Sequence, residues 1–64
     1  MLTDRQLDVL GLLARGLTYE RTGELLGISL HTVKEVAHGA RSRLEARNTA
    51  HAVAIALQKR LIVP

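Results

Sequence analysis

The sequence predicts an all-α domain in which four helices form a bundle and two of them meet as a helix-turn-helix. Apolar residues recur three and four positions apart along most of the 64 residues, the spacing that builds one face of a helix. Serine, threonine or asparagine stands before each of these segments, and glycine follows the first two. Phe and Trp are absent, so the core must consist of Leu, Val, Ile and Ala, which suit close helix packing. We expect residues 1–64 to form one domain.

The first helix is predicted over residues 4–15. Thr3 and Gln6 have the spacing of a capping box, which satisfies two N–H groups at a helix start. Apolar residues then cover more than half of the helix circumference, which is typical of a helix in the middle of its domain. Gly16 ends the helix, and Leu17 supplies the hydrophobic residue of a Schellman motif.

The second and third helices are predicted over residues 19–26 and 30–46. Thr18 is the expected N-cap of the second helix. Gly27 can adopt the left-handed conformation that ends a helix, and Ser29, two residues later, can cap the next one. Helices joined by so short a turn must cross at a steep angle, which is the helix-turn-helix arrangement.

The third helix has two unlike faces. Its core-facing stripe consists of Val33, Val36, Ala37, Ala40 and Leu44. The opposite, polar face carries His31, Lys34, Glu35, His38, Arg41, Ser42 and Glu45. Such a face beside a helix-turn-helix fits the major groove of DNA, and a solvated face on a small helical bundle is the alternative interpretation. Gly39 flanks the polar face, either where the backbone approaches a phosphate or as a tolerated weak point of the helix.

The fourth helix is predicted over residues 50–60, with Asn48 or Thr49 as its cap, and is apolar nearly all round. A terminal helix of so small a domain cannot bury every face against its own chain, so we expect the spare face to meet a second copy. The apolar run of about 12 residues is too short for a membrane span, which needs about 20. The predicted dimer interface consists of Ala50, Val53, Ala54 and Leu57.

Composition and charge exclude several classes of function. The absence of cysteine excludes disulfides, thiol catalysis and zinc-finger ligation, and we expect a cytoplasmic, nucleoid-associated protein. Net charge is +3, and the positive excess lies in residues 31–64, which favours a polyanionic partner. No set of catalytic residues is visible, so we expect no enzyme, no cofactor and no small-molecule ligand. His31 and His38 lie two turns apart without the further ligands that a metal ion would need.

Two motifs carry a family resemblance. The first consists of Leu2, Thr3, Arg5, Val9, Leu10, Leu12, Leu13, Ala14 and Gly16, and the second of Leu26, Gly27, Ile28, Ser29, Thr32, Val33 and Lys34. In this order and spacing they resemble the LuxR/FixJ-type (GerE-like) helix-turn-helix domain, and the resemblance covers nearly the whole chain. The chain departs from the family in that Arg21, Thr22 and Gly23 replace Glu-Ile-Ala, and Glu45 and Ala46 replace Gly-Val.

The resemblance implies a tetra-helical DNA-binding domain without a wing, dimeric through its last helix, that binds paired half-sites in promoter DNA and regulates transcription. Base-reading positions of the family map onto Lys34, Glu35 and His38, and His31 shares their face. A lysine can donate to guanine, a glutamate can accept from cytosine N4, and a histidine can do either. Phosphate-binding positions map onto Thr18, Tyr19, Thr32, Arg41 and Arg47.

A second function fits the same sequence. The chain can be a small protein-interaction module that keeps the fold and binds a partner regulator or host protein through helix four or the altered helix two. On the DNA-binding interpretation, RNA polymerase or another regulator is a further candidate partner. A receiver or ligand-binding domain usually precedes this module in the family, so we expect either an excised C-terminal domain or a stand-alone regulator.

Overall fold

The computed structural model describes residues 1–63, which form four α-helices and contain no strand. The helices are α1 (Asp4–Ala14), α2 (Tyr19–Leu26), α3 (Leu30–Arg43) and α4 (Thr49–Gln58). The all-α prediction with a helix-turn-helix is confirmed, and α2 has the predicted bounds. The other bounds need correction: α1 ends at residue 14 rather than 15, α3 ends at 43 rather than 46, and α4 spans 49–58 rather than 50–60. Pro64, the last residue of the predicted domain, lies outside the described residues.

Both ends of α1 adopt the motifs that the sequence predicts. The Thr3 hydroxyl accepts the N–H of Gln6 (3.1 Å), and the Gln6 side chain accepts the N–H of Thr3 (2.9 Å). At the other end, Gly16 has φ +91° and the Leu17 N–H donates to the Leu12 carbonyl (3.3 Å), which is a Schellman motif. α1 packs against all three other helices, in agreement with its apolar circumference.

Two hydrophobic clusters hold the helices together, and α1 contributes to both through the adjacent, fully buried residues Val9 and Leu10. The corner cluster joins α1 to α2 and α3, and consists of Val9, Val33 and Ala37 with Leu13, Tyr19, Leu26, Ile28 and Val36 around them. The alanine cluster joins α1 to the end of α3, to α4 and to the following chain, and its buried members are Leu2, Leu10, Ala40, Ala46, Ala52, Ala56 and Ile62. Because α1 spans both clusters, it ties the α2–α3 corner to α4.

The early ends of α3 and α4 have the same physical cause. Each helix is followed by a residue other than glycine in the left-handed conformation, Glu45 (φ +55°) after α3 and Arg60 (φ +58°) after α4. After α3, the Ala46 N–H donates to the Arg41 carbonyl (2.9 Å) and closes a Schellman motif, and an equivalent bond follows α4. Without a glycine at either place, the sequence carries no mark of these helix ends.

Two glycines lie where helices approach closely. A Cβ on Gly23 would lie 2.7 Å from the backbone oxygen of Ile28 and 3.2 Å from a methyl group of Val33, so α2 lies close to the start of α3 at this position. A Cβ on Gly39 would lie 3.0 Å from the amide nitrogen of Gln6 in α1. Gly39 therefore faces α1, which favours its interpretation as a tolerated helix glycine over a phosphate contact.

Candidate nucleic-acid interface

The corner between α2 and α3 is fixed by a backbone hydrogen bond, a cap and a half-buried isoleucine. Gly27 is left-handed (φ +70°), and the Ile28 N–H donates to the Gly23 carbonyl (3.0 Å). The Ser29 hydroxyl accepts the N–H of Thr32 (3.1 Å), which is the predicted N-cap of α3. The Ile28 side chain packs on the corner cluster. The start of α3 is therefore held rigidly, which a helix that presents side chains to a ligand requires.

The apolar stripe of α3 faces the core as predicted and the first part of its polar face is exposed, whereas Arg41 of that face is half-buried and Glu45 lies beyond the end of the helix. Val33, Ala37 and Ala40 are buried, and Val36 and Leu44 are half-buried. The reading stripe, by which we mean the exposed residues His31, Lys34, Glu35 and His38, lies on the opposite face. Its members are spaced i, i+3, i+4 and i+7, so the stripe runs about 10 Å along the helix, or about three base-pair steps. The structure brings all four candidate base-reading residues together, and their contact with bases stays a prediction.

Charge along the reading stripe is partly paired. The His31 Nε2 and Glu35 Oε2 atoms lie 3.5 Å apart, with 82% and 66% of the two side chains exposed. Lys34 and His38 form no ion pair with any described residue, so their donors are available to a ligand. The stripe thus presents one free ammonium group, one free imidazole and one imidazole–carboxylate pair.

Three candidate phosphate-binding residues lie at helix starts. The Thr18 hydroxyl is the N-cap of α2 and accepts the Arg21 N–H (3.0 Å), while Tyr19 is half-buried beside the corner cluster. Thr32 lies in the first turn of α3 and its hydroxyl accepts a hydrogen bond from that of Ser29 (3.0 Å). Free N–H groups and the helix dipole make helix starts favourable for anions, so this placement suits phosphate.

The other two candidates, Arg41 and Arg47, lie where α3 leads into α4, and both take part in the connection. Arg41 is half-buried, and its Nη1 donates to the Ala46 carbonyl (2.9 Å). Arg47 is exposed, and its backbone N–H donates to His51 Nδ1 (3.0 Å), which leaves its guanidinium free of protein partners among the described residues. Arg47 is therefore better placed than Arg41 to contact a phosphate without breaking a bond of the fold.

Sequence reasoning missed two arginines. Arg21 lies on the exposed side of α2, where it pairs with Glu24 (3.0 Å), one turn from the Thr18 cap. Its replacement of the family's acidic residue could have marked it as an added cation beside Thr18, a predicted phosphate-binding residue. Arg43 donates to the backbone carbonyl of Met1 and so fastens the start of the chain to the end of α3. Nothing in the local sequence signals that second contact, because it joins residues far apart in the chain.

The candidate dimer face lies on α4. Ala50 and Ala54 are exposed and Val53 and Leu57 are half-buried, whereas Ala52 and Ala56 on the other side are fully buried. α4 packs on α1 and α3, so the exposed alanines form an apolar strip that residues 1–63 leave uncovered. Among residues 1–63, no helix is long and apolar enough to span a membrane, and no group of three or more His, Asp or Glu side chains could hold a metal ion.

Comparison with known families agrees with this geometry. The family model for GerE, described as bacterial regulatory proteins of the luxR family, matches residues 1–56. The match includes the corner, the whole reading stripe and most of α4, so the family resemblance seen in the sequence motifs is confirmed. Members of the family are DNA-binding regulators rather than enzymes. No curated protein matches the chain.

Proposed function

Because the chain belongs to the luxR family of bacterial regulatory proteins, whose helix-turn-helix domains bind DNA, we propose that it is a sequence-specific transcription regulator that binds double-stranded DNA as a homodimer. The observation that carries this proposal is the reading stripe, four polar side chains on one exposed face of α3 beside a rigid corner. In this arrangement α3 enters the major groove and the start of α2 lies against the backbone.

Base reading falls to the exposed side chains of the stripe. The Lys34 ammonium group donates to guanine O6 or N7, and the Glu35 carboxylate accepts from cytosine N4. His38, one turn further along, donates or accepts according to its tautomer, and His31 completes the stripe at the helix start. A good base contact of this kind discriminates against the wrong base by about 1–3 kcal/mol.

Phosphate contacts position the helix. Thr18, Tyr19 and Thr32 lie at two helix starts, where N–H groups and dipoles favour anions. Arg41 and Arg47 contribute positive charge beyond the other end of the stripe. These contacts carry no sequence information, so they set affinity and register rather than specificity.

The exposed strip on α4 supports the homodimer. Ala50 and Ala54 have no large side chains, so two α4 helices can approach closely, while Val53 and Leu57 add apolar area at the edge. The described chain measures 27 × 21 × 18 Å. Two copies side by side along the longest dimension exceed the roughly 34–36 Å between half-sites on DNA, so a dimer is long enough to reach both.

The test is fluorescence anisotropy of the purified protein with short mixed-sequence duplex DNA over a range of salt. If four to six phosphates are neutralised, the log–log slope of affinity against salt is expected to be about −4 to −5. On a preferred site selected from random duplexes, Lys34→Ala should weaken binding about tenfold or more, whereas Lys59→Ala, an exposed lysine just after α4, is the matched control and should change it little. Absence of binding at low salt by a folded protein would contradict the proposal.

The dimer is tested separately by sedimentation with Ala54→Glu. Because Ala54 is exposed, the substitution leaves the fold intact and places two carboxylates at the proposed interface. The variant should sediment as a monomer and lose affinity for paired half-sites, while Lys59→Glu, exposed five residues further on and away from the alanine strip, should sediment as the unaltered chain does. A wild-type chain that is monomeric both free and on DNA would contradict the homodimer.

A protein-interaction module is the second candidate, and one observation favours it. An open groove of about 440 Å³ lies between α1, the end of α2 and the last described residues, and is lined by Leu7, Leu12, Leu26, Leu61, Ile62 and Val63, with Asp8, Gly11 and Arg15 also in its wall. Such a groove can accommodate an apolar segment of a partner. Retained regulatory activity in cells with Lys34→Ala, together with loss on Leu12→Asp in a folded variant, would favour this function over DNA reading.

A further inference from the structure

We infer that His31 acts through Glu35: as an imidazolium it neutralises that carboxylate in the major groove, so that DNA binding takes up a proton. This inference rests on the proposed function and concerns the regulation of the same site. His31 then serves as a positioning residue for Glu35.

The geometry pairs these two residues with each other. They lie one turn apart on α3, with His31 Nε2 and Glu35 Oε2 separated by 3.5 Å. That separation suits an ion pair better than a neutral hydrogen bond, so the contact is attractive when the imidazole carries a proton, although exposure keeps it weak in water. Both side chains are mostly exposed (82% and 66%), so neither is required by the core.

Binding to DNA changes the balance between the pair with a protonated His31 and the pair with a neutral His31. A free carboxylate in the groove faces phosphates on both sides and is repelled by them. An imidazolium beside it cancels that charge and is itself attracted by the phosphates. DNA therefore favours the protonated pair more strongly than water does, and the proton comes from the buffer and stays on the imidazole of His31.

The sign of the pH effect follows from this preference. Because the complex favours the protonated form of the pair, affinity is highest at low pH and falls as pH rises. Uptake of one proton limits the change to about tenfold per pH unit.

Other charged groups near α3 do not replace this pair. Lys34 and His38 belong to the same reading stripe. Lys34 is adjacent to Glu35 in the sequence, and His38 lies two turns from His31. The charged and titratable groups on the helices packed against α3 are Asp4, Arg5 and Asp8 on α1, Tyr19, Glu20, Arg21 and Glu24 on α2, and His51 on α4. Among the described residues, the only other ion pair within 4.0 Å is that of Arg21 with Glu24, so Glu35 is the one carboxylate that pairs with His31.

The experiment measures affinity for a short mixed-sequence duplex between about pH 5.5 and 8.5 at constant ionic strength. The unaltered chain should lose about fivefold or more in affinity from low to high pH. His31→Gln, which cannot take up a proton, should reduce that change to about twofold or less. Glu35→Gln should reduce it similarly and bind more tightly than the unaltered chain at high pH, because the repelled carboxylate is gone.

His51→Gln is the matched control, since it removes an exposed imidazole on α4, outside the reading stripe, that has no carboxylate partner among the described residues. Calorimetry in two buffers of different ionisation enthalpy counts the protons taken up and should show a loss in His31→Gln but not in His51→Gln. The inference is overturned if binding is independent of pH, or if His38→Gln rather than His31→Gln removes the dependence. Failure to bind the duplex at any pH would instead overturn the proposed function.

Discussion

The corner between α2 and α3 and the region around α4 are built differently. In the corner, a left-handed glycine makes the turn, a serine caps the next helix, and the packing is so close that Gly23 has no room for a Cβ. Around α4, four of the seven buried residues of the cluster are alanines, and Glu45 and Arg60 occupy left-handed positions that suit glycine. The corner is thus locally optimised, whereas the α4 region is only partly covered and carries backbone strain.

This difference matches the two roles that we propose. A helix that reads bases must hold its side chains within a narrow range of positions, so a rigid corner is an advantage there. A helix that joins a second copy must leave apolar surface exposed in the monomer, as Ala50 and Ala54 do. The weaker half of the monomer then gains stability when two chains associate, in proportion to their concentration.

The largest difference in stability is expected when a valine is shortened to alanine in each of the two regions. Val33→Ala removes two methyl groups from a fully buried position in the corner cluster and should lower the free energy of unfolding by about 2 kcal/mol. Val53→Ala, at a half-buried position on α4, should lower it by less than about 1 kcal/mol. Urea unfolding at a concentration at which the chain is monomeric measures both. Equal losses would show that the two regions are packed alike.

Replacing threonine by valine should have opposite effects on the free energy of unfolding at two positions of the second helix region, Thr22 and Thr18. Thr22 is fully buried in α2, and its Oγ1 has no hydrogen-bond partner among the described residues, so Thr22→Val should raise the free energy of unfolding by about 1 kcal/mol. Thr18→Val removes the cap that accepts the Arg21 N–H and should lower it by about 1 kcal/mol. Thermal unfolding followed by circular dichroism compares the two. A loss of stability in Thr22→Val would reveal a partner for that hydroxyl, such as a buried water molecule.

Prediction from sequence succeeded where a residue type determines a local conformation. Thr3, Gly16, Thr18, Gly27 and Ser29 marked caps and turns correctly, because each can satisfy or accommodate a specific backbone requirement.

It failed at the ends of α3 and α4, where residues without left-handed preference adopt that conformation because the tertiary fold demands a turn. The capping bond from Arg41 and the contact of Arg43 with Met1 could not be predicted from the sequence either, because both depend on where the chain returns in space. The reading stripe could be predicted as a face from helical periodicity, but the pairing of His31 with Glu35 needed the side-chain geometry.

The smallest change in the free energy of unfolding is expected from substitutions in the two left-handed turns before and after α3. Gly27→Ala adds a Cβ at φ +70° in open space, so any loss comes from backbone strain alone, and we expect about 1 kcal/mol. Glu45→Gly makes the reverse exchange at φ +55° and should raise the free energy of unfolding by about 0.5–1 kcal/mol. Chemical unfolding of both variants beside the unaltered chain measures the pair.

The charge of Glu45 must be separated from its conformation, because a carboxylate just past the end of α3 also meets the negative end of the helix dipole. Glu45→Gln removes the charge but keeps the side chain, and the difference between Glu45→Gln and Glu45→Gly isolates the backbone contribution. If Glu45→Gln alone gives the whole gain, the turn after α3 is unstrained and the two regions differ only in packing. If the glycine adds a further gain, strain is stored beside the helix that leads into the proposed dimer face.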